Sequence, residues 1–284
     1  MFRIGLSSSG KELNAQTFRA YAEAGIGCME ISLAADQYDS LNMKAVSALS
    51  KEFGVELWSY HLPFSPFSRL NPASLDADVR AFTLKYFETL MKAAADEGVS
   101  RFVVHASGEP IAPADRELSM AYAMESLDAL AEKAAKLGAV VAVEDLPRSC
   151  LGNCSDDMLR LLSANDRLRM CFDTNHLLGE DHAAFMEKTA KYYITTHISD
   201  YDFANERHWL PGEGKIDWQL VIGGLKKAGY DGVWMYEISP QCPKTIYRDR
   251  DLTCDDFVRN AKELFEGRTP TVFSRHKEKL GMWE

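Results

Sequence analysis

Short apolar runs alternate with longer amphipathic stretches along the whole chain of 284 residues. The short runs are rich in β-branched and aromatic residues, which favours strands, whereas the longer stretches repeat apolar residues at helical spacing. Strands are predicted at residues 3–8, 28–33, 55–61, 101–106, 139–145, 168–173, 192–199 and 232–239. Each is followed by a predicted helix, at residues 13–24, 41–53, 75–97, 116–137, 156–163, 183–191, 218–228 and 255–266.

Glycine follows the end of several predicted helices, in the segments AEAG, KEFG, ADEG, AKLG and KKAG. Glycine readily adopts the left-handed conformation that ends a helix before the next strand. Eight β/α units in about 265 residues close most economically into a (β/α)8 TIM barrel. A doubly wound open sheet is the main alternative, but no GxGxxG follows the first strand. The pattern therefore predicts an α/β fold of the TIM-barrel type.

The composition supports one catalytic domain over residues 1–267. Hydrophobic residues make up 46% of the chain, and no linker rich in proline, serine or glycine interrupts it. The C-terminal tail, residues 268–284, contains the apolar residues Val272, Phe273 and Trp283. We expect this tail to pack on the barrel or on a partner subunit, which leaves a homo-oligomer open.

The charge balance and the cysteines restrict the class of protein. Lysine and arginine number 32 against 42 aspartate and glutamate, a net charge of −10 that disfavours a broad nucleic-acid footprint. The first residues, MFRIGLSSSG, contain too short an apolar run for a signal peptide, and no stretch approaches a membrane span. Six cysteines without a CxxC pair suggest reduced thiols. We expect a cytoplasmic protein that binds neither nucleic acid nor membranes.

Ionisable side chains occupy the last inward-pointing position of six predicted strands: His61, His105, Glu144, Asp173, His197 and Glu237. In a barrel these carboxyl-terminal strand ends face one shared mouth, where this fold carries its chemistry. The positions two residues earlier are small or apolar and suit a packed barrel interior: Ser59, Val103, Ala142, Cys171, Thr195 and Met235. His176 and His208, in the following loops, can lean into the same mouth.

Carboxylates buried together repel one another unless a cation or shared protons compensate their charge. Two glutamates, one aspartate and one histidine form a suitable ligand set for one divalent metal ion. Oxygen-rich ligation suits Mn, Mg or Co, while the additional imidazoles favour Zn. A single buried histidine is more often a hydrogen-bonded core residue, but the cluster as a whole favours a metal site.

Four segments resemble the xylose-isomerase-like TIM-barrel superfamily: DTNH (173–176), HISDYD (197–202), ERHWLPGEGKIDW (206–218) and HASGEP (105–110). The superfamily contains sugar and sugar-phosphate isomerases and epimerases, inosose dehydratase and a zinc-dependent apurinic-site endonuclease. Its epimerase branch implies one metal held by Glu144, Asp173, His197 and Glu237, with the two glutamates as catalytic acid and base. The resemblance also implies that His176 contacts a substrate oxygen. The further candidate substrate-binding residues are His61, His105, Arg207 and His208.

The function that the resemblance implies is a metal-dependent sugar or sugar-phosphate isomerase or epimerase. A metal that chelates a carbonyl and its neighbouring hydroxyl stabilises the enediolate as charge develops. One glutamate removes the proton and the other returns it to the opposite face or to the adjacent carbon. A dehydratase differs only after the enediolate has formed. The expected partners are one divalent ion (Mn, Zn, Co or Mg) and one small sugar or sugar phosphate.

The endonuclease branch is the main alternative function. It uses three zinc ions held by nine ligands, and this sequence matches eight of them by residue type. The ninth position has Glu206 instead of an aspartate, and the loop from His197 to His208 is short. Both features argue against a trinuclear site. An inert binding barrel is disfavoured, since every expected ligand is retained. Phosphate specificity stays open, with four basic residues in loops at the mouth: Arg69, Arg148, Arg207 and Lys215.

Overall fold

Eight parallel strands form a closed barrel in the computed structural model, which describes residues 1–277. They are β1 Arg3–Ser7, β2 Cys28–Ile31, β3 Glu56–His61, β4 Arg101–His105, β5 Val140–Glu144, β6 Arg169–Asp173, β7 Tyr193–His197 and β8 Val233–Tyr236. Strands β1 to β7 pair in chain order, and β8 pairs with β1. Between β7 and β8 a single parallel bridge, Ile198 to Tyr236, completes the circle. The predicted TIM barrel is confirmed.

Eight helices surround the barrel in the described part of the chain. They are α1 Ala15–Ala24, α2 Met43–Phe53, α3 Ala77–Ala95, α4 Arg116–Lys136, α5 Ser155–Leu162, α6 His182–Thr189, α7 Trp218–Lys227 and α8 Cys254–Phe265. Each begins and ends within two residues of the bounds predicted from the sequence. Gly25 and Gly54 end α1 and α2 with φ values of 89° and 69°, the left-handed conformation that only glycine adopts without strain. None of the helices within residues 1–277 is both long and apolar enough to cross a membrane.

Two small apolar clusters lie inside the barrel. One contains Val103, Ala142 and Cys171, and the other contains Cys28, Trp58, Val233 and Met235. The alternation of inward and outward residues predicts the first cluster, but it does not predict Trp58. The register between β2 and β3 shifts so that Glu30 pairs with Ser59, which leaves Trp58 as an extra residue on β3. This β-bulge turns the indole inward, where its Nε1 donates to Thr195 Oγ1 at 3.1 Å.

The described part of the C-terminal tail packs against the carboxyl-terminal side of the barrel. Strand β10 (Ser274–His276) pairs antiparallel with a short strand β9 (Ile246–Arg248). The His276 ring meets the edge of Trp209, with ring centroids 4.8 Å apart. The sequence pattern did not predict this pair of strands, and Trp283 lies outside the described residues.

Candidate active site

The strand ends bring four of the predicted side chains together above the barrel interior. The ligand atoms of Glu144, Asp173, His197 and Glu237 all lie within 4.8 Å of one another. His197 is at the centre, with Nδ1 2.9 Å from Glu144 Oε1 and 3.5 Å from Glu237 Oε2. The arrangement follows from the sequence, since β5, β6 and β7 end at three of these residues and the fourth directly follows β8. One compact cluster therefore unites the proposed metal ligands.

Asp173 contributes a buried oxygen atom that has no hydrogen-bond partner among the described residues. Its Oδ1 accepts the amide of Asn175 at 2.6 Å, but Oδ2 is unpaired. That oxygen lies 3.9 Å from His197 Nδ1 and 3.6 Å from His176 Nδ1. An unpaired buried carboxylate oxygen destabilises a fold unless a cation or a donor compensates it. Its position beside three other ligand atoms fits a divalent metal.

The two glutamates of the cluster have opposite electrostatic environments. Burial alone would raise the pKa of Glu144, but His197 and His105 bring this pKa well below the usual value. Burial raises the pKa of Glu237 to about 7, although His197 partly opposes this rise. Without a bound cation, these surroundings therefore favour the ionised form of Glu144 more strongly than the ionised form of Glu237. Such a separation of pKa values is typical of an acid/base pair.

His61 and His105 approach Glu144 from the other side. Their Nε2 atoms lie 3.0 Å and 3.1 Å from Glu144 Oε2. The Nδ1 of His61 also lies 2.8 Å from the carbonyl oxygen of Leu62, so both ring nitrogens face acceptors. Burial lowers the pKa of His61, but the hydrogen bond to Glu144 and the negative charges of Glu144 and Glu30 together outweigh this effect and raise it to about 8. His61 therefore holds Glu144 in place as an imidazolium.

A second cluster of potential ligands lies nearer the mouth and contains His176, Glu206 and His208. His176 Nδ1 donates to the carbonyl oxygen of Asp145 at 2.8 Å, which directs Nε2 towards Glu206 Oε2 at 3.2 Å. Asn175 Oδ1 accepts the amides of residues 207 and 208 and folds this loop inward. The folded loop therefore brings the longer side chain of Glu206 within reach of His176. The expectation that Glu206 and the short loop argue against a trinuclear site stays a prediction.

A cavity of about 540 Å³ opens above these clusters. Its walls include six of the ionisable residues described above: His105, Glu144, His176, Glu206, His208 and Glu237. Phe64 and Phe67 add an apolar side, and Phe64 stacks on His105 with ring centroids 4.4 Å apart. The volume suits a small organic ligand. His61, Asp173 and His197 lie beneath this surface and support it.

Arg207 does not line the cavity. Its side chain is 3% exposed, and Nε donates to Asp202 Oδ2 at 3.0 Å. The backbone of the loop directs this side chain away from the mouth, towards Asp202. A sequence pattern places Arg207 in the correct loop but contains no signal for the direction of its side chain.

Glu30 is a buried site residue on β2, outside the six strand ends that the sequence pattern identifies. Its carboxylate lies 3.0 Å from His197 Nε2, on the ring edge opposite Glu144. Ser59 Oγ donates to the same carboxylate at 2.8 Å. The signal was present in the sequence, since alternation from Cys28 turns Glu30 into the barrel.

Comparisons with known proteins agree with this architecture. Residues 18–252 match the family described as xylose isomerase-like TIM barrel. MJ1311, an uncharacterised protein from Methanocaldococcus jannaschii, is 30% identical over 207 residues, which are 68% of this chain and 67% of that protein. Solved structures also share the fold. A D-tagatose 3-epimerase-like protein superposes with a TM-score of 0.79 at 24% identity, over 93% of this chain and 97% of that chain.

A second structure, 3-keto-D-glucoside 4-epimerase from E. coli, superposes with a TM-score of 0.71 at 23% identity, over 86% of this chain and 95% of that chain. At these identities the structural likeness shows the fold. The match over residues 18–252 shows the family. The chain belongs to the xylose isomerase-like TIM-barrel family.

Proposed function

We propose that the protein is a divalent-metal-dependent isomerase or epimerase of a small sugar. The observation that carries this proposal is the pair of carboxyl groups, buried Glu144 and partly buried Glu237, on either side of one histidine. Their pKa values are displaced in opposite directions, as an acid/base pair requires. The names of the solved epimerases that share the fold support the same class of reaction.

Glu144, Asp173, His197 and Glu237 would hold the metal ion. Carboxylate oxygens with one imidazole suit Mn, Co, Mg or Zn. The unpaired Oδ2 of Asp173 is the feature of the site that best fits a cation. When bound there, a divalent ion supplies the positive charge that stabilises an enediolate.

The protein side chains divide the remaining work. One glutamate removes the proton beside the substrate carbonyl, and the other returns a proton to the opposite face or to the adjacent carbon. His105, His176 and His208 line the cavity and bind substrate oxygens. His61 contacts Glu144 beneath the cavity, so it positions this carboxylate and does not touch the substrate.

The substitution Glu237→Gln tests this mechanism. The amide keeps one oxygen for the metal but loses the basic carboxylate, so proton exchange should slow about 100-fold or more while much of the metal is retained. The measurement is deuterium incorporation from solvent into a panel of ketoses and keto-sugars, together with the metal content. Glu187→Gln, at an exposed position on α6, is the matched control. Exchange at the wild-type rate in metal-loaded Glu237→Gln would refute the two-glutamate mechanism.

An abasic-site phosphodiesterase is the second candidate, because the cluster of His176, Glu206 and His208 could hold a further metal ion. However, Arg148 Nη1 lies 2.8 Å from Glu206 Oε1 and already compensates this carboxylate. We therefore expect no cleavage of abasic duplex DNA in the presence of zinc. Rapid cleavage that is lost in His208→Ala would favour the nuclease, and elemental analysis would then show three metal ions per chain.

A keto-sugar or inosose dehydratase shares the first proton abstraction with the proposed isomerase. Product analysis distinguishes the two reactions, because a dehydratase releases water and forms an unsaturated or deoxygenated product. The retention of the substrate's mass after turnover would support the isomerase or epimerase.

A further inference from the structure

We propose that the substrate is an uncharged sugar and not a sugar phosphate, and that Glu109 and Glu206 set this preference by engaging Arg148. The inference rests on the proposed function and specifies its substrate class. It follows from the charges around the cavity, from the contacts of the basic residues near the mouth, and from the way in which the helices after the last four strands begin.

Arg148 is the one lysine or arginine among the described residues that line the cavity. Two carboxylates share its guanidinium. Nε donates to Glu109 Oε2 at 2.9 Å, and Nη2 donates to Glu109 Oε1, so this contact is bidentate. Nη1 donates to Glu206 Oε1 at 2.8 Å and to Asn205 Oδ1 at 3.0 Å. The donors that would clamp a phosphate are therefore directed at groups of the protein itself.

The backbone fixes Arg148 in this position. Its φ of 53° lies in the left-handed region, which non-glycine residues adopt only when the surroundings compensate the strain. The side-chain amide of Asn153 donates to the carbonyl oxygen of Arg148 at 2.6 Å. Arg148 is therefore held both at its carbonyl oxygen and at its guanidinium, and it is not arranged to turn towards an incoming anion.

The other basic residues that the sequence places near the mouth are not cavity residues. The guanidinium of Arg69 lies over the Phe82 ring, 4.5 Å from its centroid. Arg207 is paired with Asp202. Lys215 does not line the cavity. The cavity wall instead contains four carboxyl groups, from Glu109, Glu144, Glu206 and Glu237.

Carboxylates of the chain lie at the N-terminal ends of the helices that follow the last four strands. In barrels that bind phosphate, the group commonly sits at loops after strands seven and eight, against a helix N-terminus. Here carboxylates of the chain accept the N-terminal amides. Glu180 accepts from Ser155 of α5 at 2.7 Å, Asp181 from Ala184 of α6 at 3.0 Å, Asp217 from Gln219 of α7 at 3.1 Å, and Asp256 from Thr253 before α8 at 2.8 Å.

A neutral polyol matches these surroundings better than a dianionic ester. Sugar hydroxyls can donate to the carboxylates of Glu109 and Glu206 and accept from the imidazoles across the cavity. A phosphate has only acceptor oxygens to offer when ionised, so it cannot donate hydrogen bonds to the carboxylates along this wall. The cluster of Glu109, Arg148 and Glu206 is therefore a specificity determinant for uncharged substrates.

The test compares three ketoses with their terminal phosphate esters, namely D-fructose, D-ribulose and D-tagatose. Calorimetric titration of the metal-loaded protein measures affinity, and solvent deuterium incorporation measures turnover. The free sugar of the best pair should bind at least about tenfold more tightly than its ester. In the double variant Glu109→Gln and Glu206→Gln the guanidinium charge is uncompensated, so the ester should gain about tenfold in affinity.

The control is the double variant Glu88→Gln and Glu117→Gln, which removes the same two charges from surface pairs with Lys133 and Arg160. It should leave the preference unchanged. Tighter binding of an ester by the wild-type protein overturns the uncharged-substrate inference alone. An unchanged ester affinity in the folded Glu109/Glu206 variant overturns the role of these two residues. Absence of binding and exchange with every sugar and ester overturns the proposed function itself.

Discussion

The two ring nitrogens of His197 face different carboxylates, and this difference defines the role of the residue. Nδ1 faces the proposed metal ligands Glu144 and Glu237, whereas Nε2 lies 3.0 Å from the carboxylate of Glu30. A carboxylate that accepts the second N–H of a metal-binding histidine fixes the ring and its tautomer and makes the ligand nitrogen more basic. Glu30 is therefore a positioning residue for the proposed metal site.

Replacement of Glu30 by glutamine should weaken metal binding about 10- to 100-fold, because the amide keeps an acceptor oxygen but loses the charge. The measurement is competition for the metal with a chromophoric chelator. Ser59→Ala is the control, since it removes a donor to Glu30 and leaves the carboxylate beside His197. Equal metal affinities for wild type and Glu30→Gln would show that Glu30 only fills space.

At the scale of elements, the loop between β7 and α7 is built around the buried side chain of Asp200. Its carboxylate accepts the amides of Gly212 at 2.7 Å and Ile216 at 3.1 Å, and the indole N–H of Trp218 at 2.9 Å. Gly214 packs directly against the Asp200 carboxylate. A Cβ at this position would come 2.2 Å from Asp200 Oδ1 and 2.4 Å from the carbonyl oxygen of Tyr201. The same loop carries Glu206 and His208 into the cavity.

Gly214→Ala should therefore destabilise the protein by about 1–3 kcal/mol, the usual effect of overpacking against atoms that cannot move. Gly223→Ala is the matched control in α7, where a Cβ meets nothing within 4 Å. Because alanine favours a helix more than glycine does, Gly223→Ala should stabilise the protein by about 0.5–1 kcal/mol. Urea unfolding measures both values, and a neutral Gly214→Ala would contradict the close packing of this loop.

The helices and strands could be predicted from the sequence, because burying one face of each element requires apolar residues at the repeat of that element. The helices and the strand ends at His61, Glu144 and Asp173 follow directly from this pattern. Features without a period could not be predicted in this way. The bulge at Trp58 interrupts the alternation, and the pairing of β9 with β10 joins segments that are far apart in the chain.

The site was predicted unevenly for the same reason. The barrel fold itself brings the residues at the strand ends together at one mouth, so this part of the site follows from the sequence pattern. Residues in loops take their direction from local hydrogen bonds. The amides that follow Glu206 bind Asn175, which brings Glu206 to His176, while the bond to Asp202 takes Arg207 away from the cavity.

At the scale of the whole molecule, the barrel is closed differently between β7 and β8 than elsewhere. The other neighbouring strands form ladders, whereas this pair is joined by one bridge. Backbone bonds run from Ile198 N to Met235 O at 2.8 Å and from Glu237 N to Ile198 O at 3.3 Å. The hydroxyl of Thr196 adds a bond to the carbonyl oxygen of Val233 at 2.9 Å.

Removal of the proposed metal should lower the midpoint of thermal unfolding. An ion present at 100 times its dissociation constant stabilises the folded state by about 2.7 kcal/mol, and a chelator removes this contribution. The measurement is a thermal scan before and after EDTA treatment, followed by return of the metal. Asp173→Asn removes one carboxylate from the ligand cluster and should make the midpoint much less sensitive to EDTA. A midpoint that EDTA leaves unchanged in the wild type would argue against a bound metal.

The closure between β7 and β8 also determines where the barrel can open most easily. His197 and Glu237 lie on opposite sides of this junction, so an ion held by both would fasten the barrel at its weakest line of backbone bonding. Binding should then slow the exchange with deuterium of the amide hydrogens of Ile198 and Glu237, which are the ones bonded across it. The paired amides of β4 and β5, which already form a ladder, should change little. Slower amide exchange at Ile198 and Glu237 would therefore report metal occupancy in the absence of substrate.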